Sequence, residues 1–169
     1  MKTKVNIAAL ILVLAFLCQA CGIYSFSGAS IPAEAKTVSV DYFPNHAQLV
    51  NPMLSNNFNN ALRDAMTNQT TLDMVESGGD IAFEGEITDY KTTPVAITSG
   101  QTAAMNRLTV TVKVRFSNRI DDTKDFESSF SRYEDYPSDQ DLNAVQESLT
   151  STIIDALVED IFNKALVNW

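Results

Sequence analysis

The chain offers few side chains that could catalyse a reaction or hold a metal ion. Among its 169 residues there is one histidine, His46, and there are two cysteines, Cys18 and Cys21. One histidine excludes a His-rich metal site and argues against His-dependent catalysis. The sequence contains no nucleophile motif, phosphate-binding loop, dinucleotide fingerprint or paired metal-ligand spacing. We therefore expect a protein that is not an enzyme and that needs no cofactor or metal ion.

The side chains most suited to binding are three basic residues on one predicted strand. Arg107, Lys113 and Arg115 fall on its polar side, in a chain whose net charge is −9. One interpretation is a solvated face balanced by acids of neighbouring strands. Those acids are Glu84, Glu86 and Glu127. The other interpretation is a patch for a phosphorylated glycolipid or an acidic partner surface. The overall acidity makes nucleic acid an unsuitable partner.

His46 and the acidic residues of the strand before Arg107 have a simpler interpretation. His46 follows the first predicted strand in a loop, where we expect it to be solvated. Glu84 and Glu86 share the polar side of a strand, which favours a solvated face over acid–base chemistry.

The first twenty residues have the organisation of a signal peptide. Lys2 and Lys4 precede an apolar run over residues 5–17, which is too short to span a bilayer. Ala20 and Cys21 then resemble a bacterial lipobox, although Cys18 stands where leucine is usual. We predict cleavage after residue 20 and lipidation of Cys21. An ordinary signal peptide with a buried Cys21, or an uncleaved anchor, are the alternatives.

Lipidation at Cys21 would determine where the protein resides. The following residue is Gly22 rather than aspartate, and no acidic cluster follows the cysteine. These features favour the outer membrane, with the protein facing the periplasm. Residues 21–35 are interpreted as the lipidated cysteine and a tether, because they are rich in glycine, serine and alanine. The mature chain would keep ten basic and 21 acidic residues.

Hydrophobic periodicity predicts one α+β domain over residues 36–169. The predicted strands cover residues 37–43, 81–87, 107–116 and 126–133, with further short extended pieces possible at 71–75 and 94–98. In the first strand, Val38, Val40 and Tyr42 are expected to face inward. One predicted helix runs from Asn51 and Pro52 to Asn68, and the other runs over residues 139–167 behind a capping box of Ser138 and Asp141. Each helix has one apolar stripe. We therefore expect two helices packed on one face of a mostly antiparallel four-stranded sheet.

Several runs of residues, taken in order, resemble a known family. They are 21–28 (CGIYSFSG), 38–45 (VSVDYFPN), 51–52 (NP), 83–87 (FEGEI), 106–109 (NRLT), 130–136 (FSRYEDY) and 159–164 (EDIFNK). Together they resemble the LptE-type lipopolysaccharide-assembly lipoproteins, specifically their Bacteroidetes branch, over the whole mature chain.

The resemblance implies a fold of two helices on a four-stranded sheet. It also implies an outer-membrane lipoprotein that is plug and assembly partner of an LptD-type β-barrel and that binds lipopolysaccharide. It assigns no ligand-contacting residues. The alternative is a periplasm-facing regulatory lipoprotein of a cell-envelope enzyme, such as a peptidoglycan synthase, although the short tether argues against that.

Overall fold

The computed structural model describes residues 31–49, 51–95 and 104–167. The predicted signal peptide, Cys21 and the tether up to residue 30 lie outside the described residues. Of the extended piece expected at 94–98, residues 94 and 95 extend a longer strand, and 96–98 lie outside the described part.

The described chain forms five strands and two helices. In chain order they are β1 (Thr37–Val40), α1 (Leu54–Gln69), β2 (Asp73–Val75), β3 (Ile81–Val95), β4 (Met105–Asn118), β5 (Phe126–Pro137) and α2 (Leu142–Phe162). The strands form one sheet in the order β2-β1-β3-β4-β5. The α+β class and the two helices are confirmed. The sheet, however, has five strands instead of four, because residues 73–75 pair with β1.

The antiparallel part of the sheet follows from alternating residues. Leu108, Val110 and Val112 of β4 are buried on one side, while Arg107 and Lys113 lie on the other. A strand with one apolar and one polar side buries only one face of its sheet. β4 pairs antiparallel with both β3 and β5 along most of its length.

Most of the pairing in the sheet is antiparallel, as expected, but the edge beyond β3 is parallel. β1 pairs parallel with both β2 and β3. The connection from β1 runs through α1, and a helical crossover returns the chain in the same direction. The antiparallel pairs are those of β3 with β4 and of β4 with β5.

A β-bulge keeps the long strand β3 in contact with the core. Ile87 pairs with Val112, but Asp89 pairs with Thr111, so the register shifts by one residue. The shift returns Tyr90 to the side of Ile87, and both are buried. A regular strand would place these two side chains on opposite faces, since they are three residues apart.

The chain after β1 differs from the expected strand over 37–43. Val38 and Val40 are buried as expected, but Tyr42 is 59% exposed and Phe43 is fully buried instead. The Phe43 amide donates to Asn59 Oδ1 of α1 at 3.1 Å. Regular pairing of β1 ends at Val40, which allows Phe43 to turn towards the core.

Both helices begin later than predicted. Asn51 and Pro52 precede α1 in a turn, and the Leu54 amide donates to the Asn51 carbonyl oxygen. In α2 the capping box is wrong. Asp141 is itself the N-cap and accepts from the Asn143 amide at 2.8 Å. A π-helical turn, Asn163–Val167, follows α2 in place of a continuous α-helix to residue 167.

One hydrophobic core joins the two helices to the sheet. Phe43 and Phe58 meet edge to face with ring centroids 5.2 Å apart, as do Phe83 and Phe116. Phe126 of β5 stacks on Phe116 at 5.1 Å. The helices thus cover the same face of the sheet, and the opposite face, called the outer face below, is left to polar side chains.

An ion pair and a hydrogen bond attach α2 and the turn that follows it to the edge of the sheet. Arg132 of β5 donates two hydrogen bonds to the Asp160 carboxylate, at 2.6 and 2.5 Å. The carboxylate raises the pKa of Arg132, chiefly through these hydrogen bonds. Lys164 donates to Ser128 Oγ at 2.7 Å. These contacts fix the helix over β5.

Candidate functional site

The three basic residues singled out from the sequence lie on the outer face. Since side chains alternate along β4, Arg107, Lys113 and Arg115 all point away from the helices. The acids nearest to them come from the flanking strands, where Glu84 pairs in register with Arg115 and Glu86 with Lys113. The structure therefore brings these charged groups together across three strands.

Glu127 of β5 joins two of the basic side chains. Its Oε1 lies 2.5 Å from Lys113 Nζ, and its Oε2 lies 3.1 Å from Arg115 Nη2. The hydrogen bond from Lys113, and next that from Arg115, lowers the pKa of the Glu127 carboxyl. Both cations keep about half of their side-chain surface exposed (46% and 62%). They are paired, yet still accessible from solvent.

Arg107 belongs to a second cluster, at the end of the β3-β4-β5 meander where Met105 pairs with Pro137. Its Nε and Nη2 donate to the two oxygens of Asp135 at 2.8 and 2.9 Å, a bidentate arrangement. Its guanidinium carbon lies 3.6 Å from the ring centroid of Tyr133. The hydrogen bonds raise the pKa of Arg107 and lower the pKa of Asp135. Arg107 is thus held more firmly than Lys113 or Arg115.

A hollow of about 240 Å³ lies above the cluster formed by Lys113, Arg115 and Glu127. Its lining residues are Pro44, Glu84, Gly85, Glu86, Lys113, Arg115 and Glu127. Carboxylates of β3 and β5 flank the two cations of β4, so an anion entering the hollow must compete with Glu127 for the two basic groups.

His46 reaches the same surface. Its Nδ1 lies 2.8 Å from Glu86 Oε2, and its backbone amide donates to the Ile87 carbonyl oxygen. The sequence places it in a loop, which is correct, but does not indicate this contact, because the two residues are 40 positions apart. Asp135 was also missed as a partner of Arg107. Its position on the strand paired with β4 was the available signal.

The outer face as a whole has nearly balanced charge. Its cations are Lys91, Arg107, Lys113 and Arg115. Its carboxylates are Glu84, Glu86, Asp89, Glu127 and Asp135. Each of the three candidate residues has a carboxylate partner, Asp135 for Arg107 and Glu127 for both Lys113 and Arg115, so their charges are balanced by acids of a neighbouring strand.

Two further properties concern only the part of the chain that the structure describes. No group of three or more His, Cys, Asp or Glu side chains is arranged there to hold a metal ion. Neither described helix combines the length and the apolar composition that crossing a bilayer requires.

Comparison with known proteins gives a family match. A family model for LptE, described as lipopolysaccharide-assembly, matches residues 35–165, which include all five strands and both helices. No curated protein matches the chain.

Solved structures share the fold at low sequence identity. The chain is similar to a minor lipoprotein from Acinetobacter baumannii, with 15% identity, a TM-score of 0.50, and coverage of 77% of this chain and 91% of that chain. It is also similar to the hypothetical protein CT253 from Chlamydia trachomatis, with 8% identity, a TM-score of 0.52, and coverage of 78% and 98% respectively. At such identities the likeness concerns the fold alone.

Proposed function

Because the chain belongs to the LptE lipopolysaccharide-assembly family, we propose that it is an outer-membrane lipoprotein that supports lipopolysaccharide transport and insertion. In this role it is the plug and assembly partner of an LptD-type β-barrel. The observation that carries the proposal is the family match over residues 35–165, which covers the entire described sheet and both helices. The work is positioning and binding, and it needs no catalytic group.

The proposed anchor is the lipid on Cys21, after removal of residues 1–20. Residues 22–35 then separate the lipid from β1, and a fully extended chain of that length spans at most about 50 Å. Acyl chains contribute about 0.8 kcal/mol per buried CH₂ group, so a multiply acylated cysteine holds the domain 36–169 at the membrane. The domain is thereby confined to the periplasmic side of the outer membrane.

The outer face suits the interior of a barrel. The lumen of an outer-membrane barrel is polar, whereas its lipid-facing side is apolar. A sheet face on which most charges are paired, and which otherwise carries threonines and serines, can contact such a wall while burying few unpaired charges, which would be costly. The balance of cations and carboxylates on this face supports the plug role.

We assign Arg107, Lys113 and Arg115 as contacts for lipopolysaccharide phosphates or for the barrel. A phosphate group carries more negative charge than a carboxylate and accepts several charge-assisted hydrogen bonds. At Lys113 and Arg115 the phosphate would replace Glu127, whose single carboxylate is shared between the two cations. The exchange costs little because both cations are already close together and half exposed.

Affinity capture from the detergent-solubilised cell envelope, with both membranes present, tests the partner. We expect the tagged full chain to retain a large outer-membrane barrel, and the Cys21→Ala variant, which cannot be acylated, to be lost from the outer-membrane fraction. Failure to retain any barrel would contradict the plug role. Retention of an inner-membrane synthase instead would favour a regulatory lipoprotein.

Binding of purified lipopolysaccharide tests the contact residues. We expect Lys113→Ala and Arg115→Ala to weaken binding several-fold, and Glu127→Gln to strengthen it, because the competing carboxylate is gone. Lys124→Ala, in the turn between β4 and β5, is the charge-matched control and should bind as the wild type does. Equal binding by all four variants would remove these residues from the site.

A further inference from the structure

Among the described residues, the sheet has three backbone edges that could accept another strand. β2 is three residues long, so its edge is short. The second edge is the side of β3 beyond Ile87, where the parallel contact with residues 44–46 ends. The third is the outer side of β5, which is twelve residues long. An edge strand presents a row of unpaired N–H and C=O groups.

The hydrogen-bond pattern shows which groups of β5 point outward. The Ser138 amide donates to the Ala104 carbonyl oxygen at 3.1 Å and continues the β4–β5 register by one pair. Hydrogen-bonded pairs recur every second residue in an antiparallel ladder. The backbone N–H and C=O groups of even-numbered residues of β5 therefore bond to β4. The residues whose backbone groups face outward are Glu127, Ser129, Ser131, Tyr133 and Asp135.

The free part of the β3 edge is protected, whereas the β5 edge is not. After the bulge, Tyr90, Thr92 and Pro94 turn their backbones away from β4, since Asp89 pairs with Thr111. Pro94 has no N–H, and proline at such a position is a usual device against unwanted pairing. On β5 every outward residue before Pro137 carries an N–H.

The charged side chains of β5 do not guard its edge, because most of them point to partners within the fold. The partners are Lys113 and Arg115 for Glu127, Asp160 for Arg132, and Arg107 for Asp135. Charges that project along an edge normally discourage pairing. Glu134 is the exception, because its carboxylate has no ion pair among the described residues. A groove of about 400 Å³ opens along Ser131–Asp135.

We propose that β5 accepts an extended segment of a partner polypeptide as a sixth strand of the sheet. The outward N–H and C=O groups of β5 supply the main-chain hydrogen bonds, as in other cases of strand addition. A lysine or arginine of the incoming strand lies opposite Glu134, since opposite charges stabilise a cross-strand pair. Tyr133, 52% exposed, supplies an aromatic contact on the other side of the new strand.

A second copy of this chain is a poorer occupant of the edge. Two β5 strands related by a two-fold axis pair antiparallel, which places their starts at opposite ends of a strand about 40 Å long. The residues before β1 lie at the end of the sheet where β5 begins. The Lys36 amide donates to the Asp80 carboxylate there, and the Arg119 amide, just after β4, donates to the Asp80 carbonyl oxygen. With the lipid anchor proposed above and the strands standing along the membrane normal, one of the two tethers would use about 40 Å of its reach of at most about 50 Å merely to return to the same membrane. This step rests on the proposed function.

Site-specific crosslinking tests the edge. The photoreactive residue p-benzoylphenylalanine replaces Tyr133 in the full chain, which is expressed in the bacterium it comes from. After irradiation, the peptide crosslinked to position 133 is sequenced. The matched control carries the same residue in place of Tyr42, an equally exposed aromatic beside β1. We expect an adduct with an extended segment of a different polypeptide from position 133 and none with that segment from position 42.

Three variants combined with the crosslinker examine the main-chain contact. Ser129→Pro removes one outward N–H and should lower the adduct yield more than tenfold, whereas Ser129→Ala retains the N–H and should leave the yield unchanged. Glu134→Lys keeps every N–H but repels the incoming cation, so it should lower the yield even if the proline variant fails to fold. Thermal unfolding verifies that each variant is folded.

The outcomes separate this inference from the proposed function. A yield insensitive to both Ser129→Pro and Glu134→Lys, or an adduct of two copies of this chain, would overturn the strand-addition proposal. Capture of a barrel without any adduct from position 133 would also overturn it, while leaving the plug role intact. An adduct with a segment of a protein that is not a barrel, sensitive to both variants, would support strand addition and contradict the plug role.

Discussion

Individual charged residues of this protein act mainly by ordering backbone and neighbouring side chains. Asp80 is the clearest case, because its Oδ2 accepts from the Lys36 amide at 2.9 Å, the Thr37 amide at 3.1 Å and the Thr37 hydroxyl at 3.0 Å. The hydrogen bond from the Lys36 amide, and next those from Thr37, lowers the pKa of the Asp80 carboxyl. One carboxylate thus fixes the start of β1 beside β3.

Asp80→Asn should lower the Tm at neutral pH by a few degrees. A carboxyl whose pKa is lowered by folding stabilises the native state fully above its unfolded pKa, about 3.9 for aspartate. That contribution is lost as the pH falls through the lower folded pKa. The Tm difference between wild type and variant, measured by circular dichroism, should therefore shrink as the pH falls towards 2.

The control for this prediction is Asp64→Asn on α1, whose carboxylate makes no ion pair among the described residues. It should show no comparable difference at either pH. A Tm difference for Asp80→Asn that stays constant from neutral to acidic pH would contradict the assignment.

At the scale of elements, the β3–β4 pair depends on a close backbone approach at Gly85. A Cβ at this position would lie 2.0 Å from the Lys113 carbonyl oxygen and 2.5 Å from a ring carbon of Phe43. Neither obstacle can move freely, since one is backbone and the other is a buried ring. Gly85 thereby allows Phe43 to leave the strand direction of β1 and enter the core.

Gly85→Ala should destabilise the fold by more than about 2 kcal/mol, at the upper end of the cost of overpacking. The free energy of unfolding from urea titration is the measurement. Thr109→Ala, on the outer face of β4, is the matched control and should change stability by less than about 0.5 kcal/mol. A stable Gly85→Ala variant would mean that β3 and β4 can separate locally at low cost.

At the scale of the whole molecule, a single core links parts that are distant in sequence. Phe58 of α1 packs on Phe43, while Phe116 joins Phe83 of β3 to Phe126 of β5. Leu157 and Ile161 of α2 are fully buried in the same core. A domain organised in this way should unfold as one cooperative unit.

Phe58→Ala should lower the free energy of unfolding by about 3–5 kcal/mol, through lost burial and the cavity that remains. Far-ultraviolet circular dichroism and tyrosine fluorescence should report the same single transition in wild type and variant. Two separate transitions would show that α1 and the β3-β4-β5 meander unfold independently.

Periodicities within short segments determined what the sequence alone could predict. The alternation along β4 identified its buried and polar sides, and the stripe of α2, including Ile153 and Leu157, identified its buried side. These patterns gave the α+β class, the two helices on one face and the position of the three basic residues. They are local properties, because the side-chain period of a strand or helix is set by its own backbone.

Only the tertiary structure decided which residues meet across the chain. The pairing of Arg107 with Asp135, of His46 with Glu86 and of Arg132 with Asp160 joins positions 28 to 40 residues apart. Such pairs depend on strand order and register, which the α1 crossover and the bulge in β3 set. No local pattern encodes either feature, so the sequence left open whether the three basic residues form a patch or are paired with acids, and only the placement of the strands side by side showed that they are paired.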